Sequence, residues 1–109
     1  MSQFDVHRNL GRQRATIPYV VIVQSSRFDR ARRRVVVPLV ALQATGAAGT
    51  PPRSVLNAVF EVEGAAVAMN PLEISSVAFD SLGEKVASLA EEGNRIVQAL
   101  DELFSRAWN

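Results

Sequence analysis

The chain has 109 residues, 48% hydrophobic and 21% charged, the balance of a globular domain rather than of a disordered segment. It has no cysteine and one histidine, His7, which excludes a disulfide framework, a thiolate zinc site, a cysteine nucleophile and any two-histidine metal motif. The net charge of +1 hides a division: residues 1–53 carry nine arginines against Asp5 and Asp29, whereas residues 54–109 carry Lys85, Arg95 and Arg106 against nine acids. Such a split implies either two halves whose fields cancel across the fold or surfaces kept for charged partners.

Gln3 to Val6 predicts a short edge strand, and the basic, glycine-containing stretch Arg8 to Arg14 a loop or hairpin tip. Tyr19 to Val23 is an unbroken run of aromatic and β-branched residues, the pattern of a buried strand. Arg27 to Arg34 reads as a polar connection. Val35 to Val37 begins a second strand, which either ends at Pro38 or continues past it through Leu39 to Leu42. Residues 44–52 are small and rich in glycine and proline, hence a loop. Val55 to Val62 predicts a strand, Glu63-Gly64 a tight turn, and Ala65 to Met69 the second arm of a hairpin. Pro71 interrupts, and Glu73 to Phe79 predicts a further strand.

From Val86 to Ala107 the apolar residues recur at three- and four-residue spacing, an amphipathic helix. Ser88 and Glu91 match a capping box at its start. Gly93 costs such a helix about 1 kcal/mol relative to alanine, which points to a close packing contact. The expected fold class is α+β, mostly β, one domain over residues 1–109 closed by a C-terminal helix. No apolar run approaches the roughly 20 residues of a membrane span, and MSQFDVHRNL lacks a signal-peptide core, so the expected location is cytoplasmic.

Enzyme motifs are missing: there is no phosphate-binding P-loop and no GxGxxG, GxSxG or HExxH. Glu61 and Glu63 lie two apart on a predicted strand and would share one face, which a solvated surface explains more simply than an acid/base pair. Glu91 and Glu92 suit a helix start, and His7 needs no catalytic role. No cofactor or metal is expected. The run Arg27-Phe28-Asp29-Arg30-Ala31-Arg32-Arg33-Arg34 is the most unusual local feature. It suits phosphate binding, or a solvated loop that pairs with the acidic half or with a second copy of the chain. Phe28 is its one interleaved aromatic, too few for a single-strand stacking platform. Trp108, the only tryptophan, either docks on the core or serves a partner.

The order of several segments resembles the CcdB family. These are Gln3-Phe4-x-Val6, Val23-Gln24-Ser25, Arg34-Val35-Val36-Val37-Pro38-Leu39 and Phe60-x-Val62-x-Gly64. Leu82-Gly83-Glu84-x-Val86-Ala87-x-Leu89 and Ala99-Leu100-Asp101-x-Leu103-Phe104 complete the set. The resemblance covers almost the whole chain. It implies a CcdB-like, SH3-like small β-barrel with an added small sheet and a C-terminal α-helix, assembled as a homodimer. It further implies a non-enzymatic toxin that binds the A subunit of DNA gyrase and traps the gyrase–DNA cleavage complex. A CcdA-type antitoxin with an acidic, disordered segment would neutralise it, and operator DNA would be met only indirectly, through the antitoxin.

Carried over by position, the gyrase contacts are Arg27, Phe28, Asp101, Phe104, Ser105, Arg106, Ala107 and Trp108. The antitoxin contacts are Arg8, Arg12 and Arg14, with the loop Ala44 to Pro52. The chain departs from the best-known family member at its end: that member closes on Phe-Trp-Gly-Ile, whereas Phe104 here is followed by Ser105-Arg106-Ala107-Trp108-Asn109. Two other readings remain. One is a degenerate toxin that only binds antitoxin and co-regulates its operon. The other is a Kid/MazF-like endoribonuclease toxin, for which Arg32 to Arg34 supply charge without an obvious general base.

Overall fold

The computed structural model describes residues 2–42 and 54–104. Among these described residues are seven strands and one α-helix: β1 (Asp5–Arg8), β2 (Tyr19–Ile22), β3 (Arg33–Ala41), β4 (Val59–Val62), β5 (Ala65–Met69), β6 (Ser75–Ala78), β7 (Lys85–Ser88) and α1 (Gly93–Phe104). The strands form one curled, antiparallel sheet in the order β4-β5-β3-β2-β1-β7, with β6 paired to β3 off this path. The helix closes the inner side. The α+β, mostly β expectation holds.

The buried strand β2 is why the sheet has two apolar faces. Tyr19, Val21 and Val23 enter the main core with Val6, Val37, Leu39, Phe60, Val67, Met69 and the helical Ile96 and Ala99. Val20 and Ile22 point the other way, into a smaller cluster with Val36, Val77 and Leu82. A strand covered on both faces has no polar alternation to keep, hence the unbroken run in the sequence.

β3 runs straight through Pro38, the second of the two options left by the sequence. Its first half, Arg33 to Val36, pairs with β6, and its last residues, Leu39 to Ala41, pair with β5. The Pro38 carbonyl accepts the Asn70 N–H at 3.0 Å. A strand residue points its N and its C=O to the same edge. The missing proline N–H therefore falls in the gap between β6 and β5, and no ladder bond is lost.

The β4–β5 hairpin turns at Glu63 (φ 51°) and Gly64 (φ 81°), the pair of left-handed residues that a two-residue hairpin turn demands. Three expected elements are corrected. The first strand begins at Asp5 rather than Gln3, because Phe4 takes φ 71°, outside any strand geometry. The strand expected from Val55 begins at Val59. Before it, the Ser54 Oγ accepts the Asn57 N–H at 3.0 Å and Asn57 Nδ2 donates to the Met69 carbonyl at 3.1 Å, a side-chain-built turn that competes with the ladder.

The helix begins at Gly93, not near Ser88. Val86 belongs to β7, which pairs with β1, and Ser88 Oγ accepts the Ala90 N–H in place of a capping box. Gly93 does mark a close contact: a Cβ there would sit 2.7 Å from Phe4 Cε2.

Candidate functional site

Three surfaces carry the residues singled out in the sequence. The first is on α1. Ile96 and Ala99 are buried and Leu100 packs partly on the core, whereas Val97 is 45% exposed and Phe104 63% exposed. Positions 97, 101 and 104 stand at i, i+4 and i+7, so Val97, Asp101 and Phe104 form one solvent-facing stripe on the helix. Arg95 anchors the helix: Nη2 donates to the Val59 carbonyl at 2.7 Å, Nη1 pairs with Glu92 at 2.5 Å, and the guanidinium stacks 4.5 Å from the Phe60 ring centroid. Ser105, Arg106, Ala107 and Trp108 lie outside the described residues.

The second surface is the loop between β1 and β2. Arg12 and Arg14 are exposed there, and the Arg14 guanidinium donates to the Gly11 carbonyl at 3.1 Å. Arg8 is the last residue of β1 and is not free. Its guanidinium pairs with Glu63 at 3.1 Å and Glu84 at 2.9 Å, and lies 6.0 Å from the Tyr19 ring centroid. The Glu84 hydrogen bond, with the negative fields of Glu63 and Glu84, raises the Arg8 pKa.

Tyr19 donates its hydroxyl to Glu63 at 2.5 Å, and that bond, then burial and the Glu63 charge, raise the Tyr19 pKa. The two halves of the charge pattern thus meet here. Beside this loop lies a cavity of about 450 Å³, lined by Leu10, Val20, Val36, Val77 and Leu82 among others. The loop from Ala44 to Pro52 lies outside the described residues.

The third surface is the segment between β2 and β3. Arg27 and Phe28 sit in a 3-10 turn (Ser26–Phe28) begun by Ser25, whose Oγ accepts the Arg27 N–H. Phe28 is 58% exposed. No hydrogen bond, ion pair or ring contact joins Arg27 or Phe28 to Asp101 or Phe104 among the described residues.

The expected solvated run also needs correction at Arg34. It is 5% exposed, lies in β3 and donates to the backbone carbonyls of Asp29, Ala31 and Arg33. Glu61 and Glu63 likewise do not share a strand face, because Glu63 is a turn residue tied to Arg8 and Tyr19. Sequence reasoning missed Glu63 as a hub and Gln24 as a clamp. The turn position of Glu63 was visible, but its reach to β1 and β2 depends on the sheet order. His7 is buried and its Nδ1–H donates to the Gly83 carbonyl at 2.8 Å, a structural role.

The curled sheet closed by one helix is shared with a solved chain described as an endoribonuclease in complex with its cognate antitoxin from mycobacterial species. That likeness has a TM-score of 0.75, covers 100% of this chain and 99% of that one, and comes at 18% identity, so it defines a common fold. The family model described as "CcdB protein" matches residues 3–105, and the chain belongs to the CcdB family of toxins from toxin–antitoxin modules. No curated protein matches the sequence.

Proposed function

We propose that this toxin acts as a homodimer in the cytoplasm, binds the A subunit of DNA gyrase and traps the enzyme on cleaved DNA, performing no catalysis of its own. The observation that carries the reading is the Val97–Asp101–Phe104 stripe. A helix whose inner face is already satisfied has no internal reason to hold a phenylalanine at 63% exposure near its end. Aromatic side chains presented in this way are the usual anchors of protein interfaces. Arg27 and Phe28 add a second contact, which a dimeric arrangement would bring to the same target.

A CcdA-type antitoxin with an acidic segment would dock at the β1–β2 loop. Arg12 and Arg14 there offer charge, and the adjacent apolar cavity offers a seat for a side chain. The antitoxin of the fold relative supports this partner class. Operator DNA would be contacted through the antitoxin.

The test is gyrase supercoiling and DNA cleavage with the purified protein. The wild-type chain stabilises cleaved DNA. Phe104→Ala needs at least tenfold more protein for the same effect, a loss of about 1.4 kcal/mol, while keeping its circular dichroism spectrum. Absence of stabilised cleavage with a folded dimer overturns the reading. Cleavage of a defined RNA by the same sample would move it to the endoribonuclease reading that the fold relative favours. Tight antitoxin binding with neither activity would leave a regulatory toxin.

A further inference from the structure

The segment from Gln24 to Arg34 is built as an arch held from within. Gln24 Nε2 donates to the carbonyls of Phe28 and Arg33, both at 3.1 Å, and its Oε1 accepts the Val35 N–H at 3.0 Å. Arg34 fills the arch from the β3 side, with its guanidinium on three carbonyls and 5.8 Å from the Phe79 ring centroid. Asp29, the only acid between Arg27 and Arg34, accepts from the Ser2 hydroxyl at 3.0 Å.

Outside this frame stand Arg27, Arg30, Arg32 and Arg33, all exposed. Arg33 is tied to Ser76, whose Oγ and carbonyl accept from it at 2.7 and 2.6 Å. Among the described residues no carboxylate pairs with any of these four. Four like charges on one short arch repel one another, and of the nine acids of the other half Asp80 lines the cavity beside Arg32 and Arg33 without forming an ion pair with either among the described residues. The arch is therefore kept in shape by an amide and a buried arginine, and its outward charge is left for something else.

We infer that this arch binds the phosphodiester backbone of nucleic acid directly, without reading base sequence. Guanidinium forks fit phosphate oxygens, and neutralising phosphates releases counterions, so binding needs charge more than an apolar seat. That matches the surroundings. The cavity beside the arch, about 300 Å³, is walled by Arg32, Arg33 and Asp80 with Ala78 and Phe79. An acidic protein segment would need an apolar anchor site, and the more apolar cavity lies at the other end of β2, by the β1–β2 loop. No helix or ribbon projects from the arch to enter a groove, so base edges go unread. This goes beyond the gyrase reading, in which DNA is met only through the antitoxin or the enzyme.

The experiment is fluorescence anisotropy of a labelled 20-base-pair duplex, titrated with the intact protein between 50 and 200 mM salt. Three phosphate contacts, from Arg27, Arg30 and Arg32, predict a slope of log K against log salt of about −2.7, an affinity loss of about 40-fold over that range. The double variant Arg30→Ala/Arg32→Ala lowers the slope to about −0.9. Both side chains are exposed and hold no part of the frame, so the variant keeps its fold. Arg12→Ala/Arg14→Ala, with the same change in net charge, leaves the slope as it was.

No binding at 50 mM salt overturns the inference, as does an unchanged slope in the Arg30/Arg32 variant. A strong preference between two unrelated duplexes overturns the sequence-independent part. Binding of a poly-glutamate peptide through the arch with no binding of the duplex assigns the arch to an acidic protein instead. Neither Arg30 nor Arg32 belongs to the proposed gyrase contact, so failure here leaves the cleavage assay to be judged separately.

Discussion

The loop before β2 and the arch after it are both rich in arginine, yet the chain treats them in opposite ways. At the first, the sheet order brings Glu63 from a hairpin turn and Glu84 from the approach to β7 onto Arg8, so charge from the two halves of the sequence cancels across strands. At the second, Asp80 lines the neighbouring cavity, but no carboxylate pairs with the outward arginines among the described residues. The arginine that is taken inside, Arg34, donates from Nη1 and Nη2 to three backbone carbonyls, which supply partial charge without a counter-ion, while its buried Nε has no partner among the described residues. Density of one charge in a sequence therefore says little until topology decides what lies opposite. Beside the first loop only Arg8 is neutralised, so Arg12 and Arg14 act next to an apolar cavity, whereas the arch presents charge with less apolar surface beside it, a surface for a polyanion.

The comparison breaks most sharply at Arg34. Arg34→Met removes donors from three carbonyls and the contact with Phe79, an expected loss of about 3 kcal/mol in urea unfolding. Arg34→Lys keeps the charge but not the fork and recovers less than half of that loss. Arg8→Met, by contrast, touches a half-exposed surface pair and shifts the urea midpoint little. Equal midpoints for Arg34→Met and the wild-type chain would show that the arch is not held from within.

A second change probes the other loop. A Cβ on Gly83 would lie 2.8 Å from both the Arg8 carbonyl oxygen and the Arg8 Cβ. The Gly83 N–H donates to that carbonyl, and the Gly83 carbonyl accepts from His7. Backbone cannot give way as a side-chain tip does, so Gly83→Ala is expected to cost about 2 kcal/mol. It should also displace Arg8 from its two acids, and because Arg8 lowers the Tyr19 pKa, its departure moves the Tyr19 titration to higher pH. A variant as stable as the parent would mean that β1 and the Gly83 turn slide freely.

These details show which parts of the molecule were legible before the structure. The β2 run and the Glu63-Gly64 turn were, because both signals are local: side-chain branching and left-handed backbone act within a few residues. The start of the helix was not. Val86 falls by chance on the helical spacing of Ile96 and Leu100, and only pairing with β1 makes it a strand. Pro38 could be read either way, since the cost of its missing N–H depends on which strands flank β3. The family resemblance was legible from ordered motifs, and the family match bears it out. Which arginines are free was not legible, for the buried Arg34 differs from its neighbours only by the carbonyls folded around it.

The smallest expected effect separates the two loops by pH. The Glu63 hydrogen bond, burial and the Glu63 charge all favour the protonated Tyr19, whose pKa is raised above its ordinary 10.0 in the folded state. The folded chain then holds that proton more tightly than the unfolded chain. The stability it contributes is complete below pH 10 and is lost as pH rises through the raised value. Tyr19→Phe removes both the bond and the titration. At pH 8 it should be about 1 kcal/mol less stable than the parent in urea, and the gap should close as pH rises above 10. The arch offers no comparable group, so Arg30→Ala/Arg32→Ala should run parallel to the parent over the same range. A gap between Tyr19→Phe and the parent that stays constant or widens with pH would place the proton elsewhere and remove Glu63 as the hub joining β1, β2 and the hairpin.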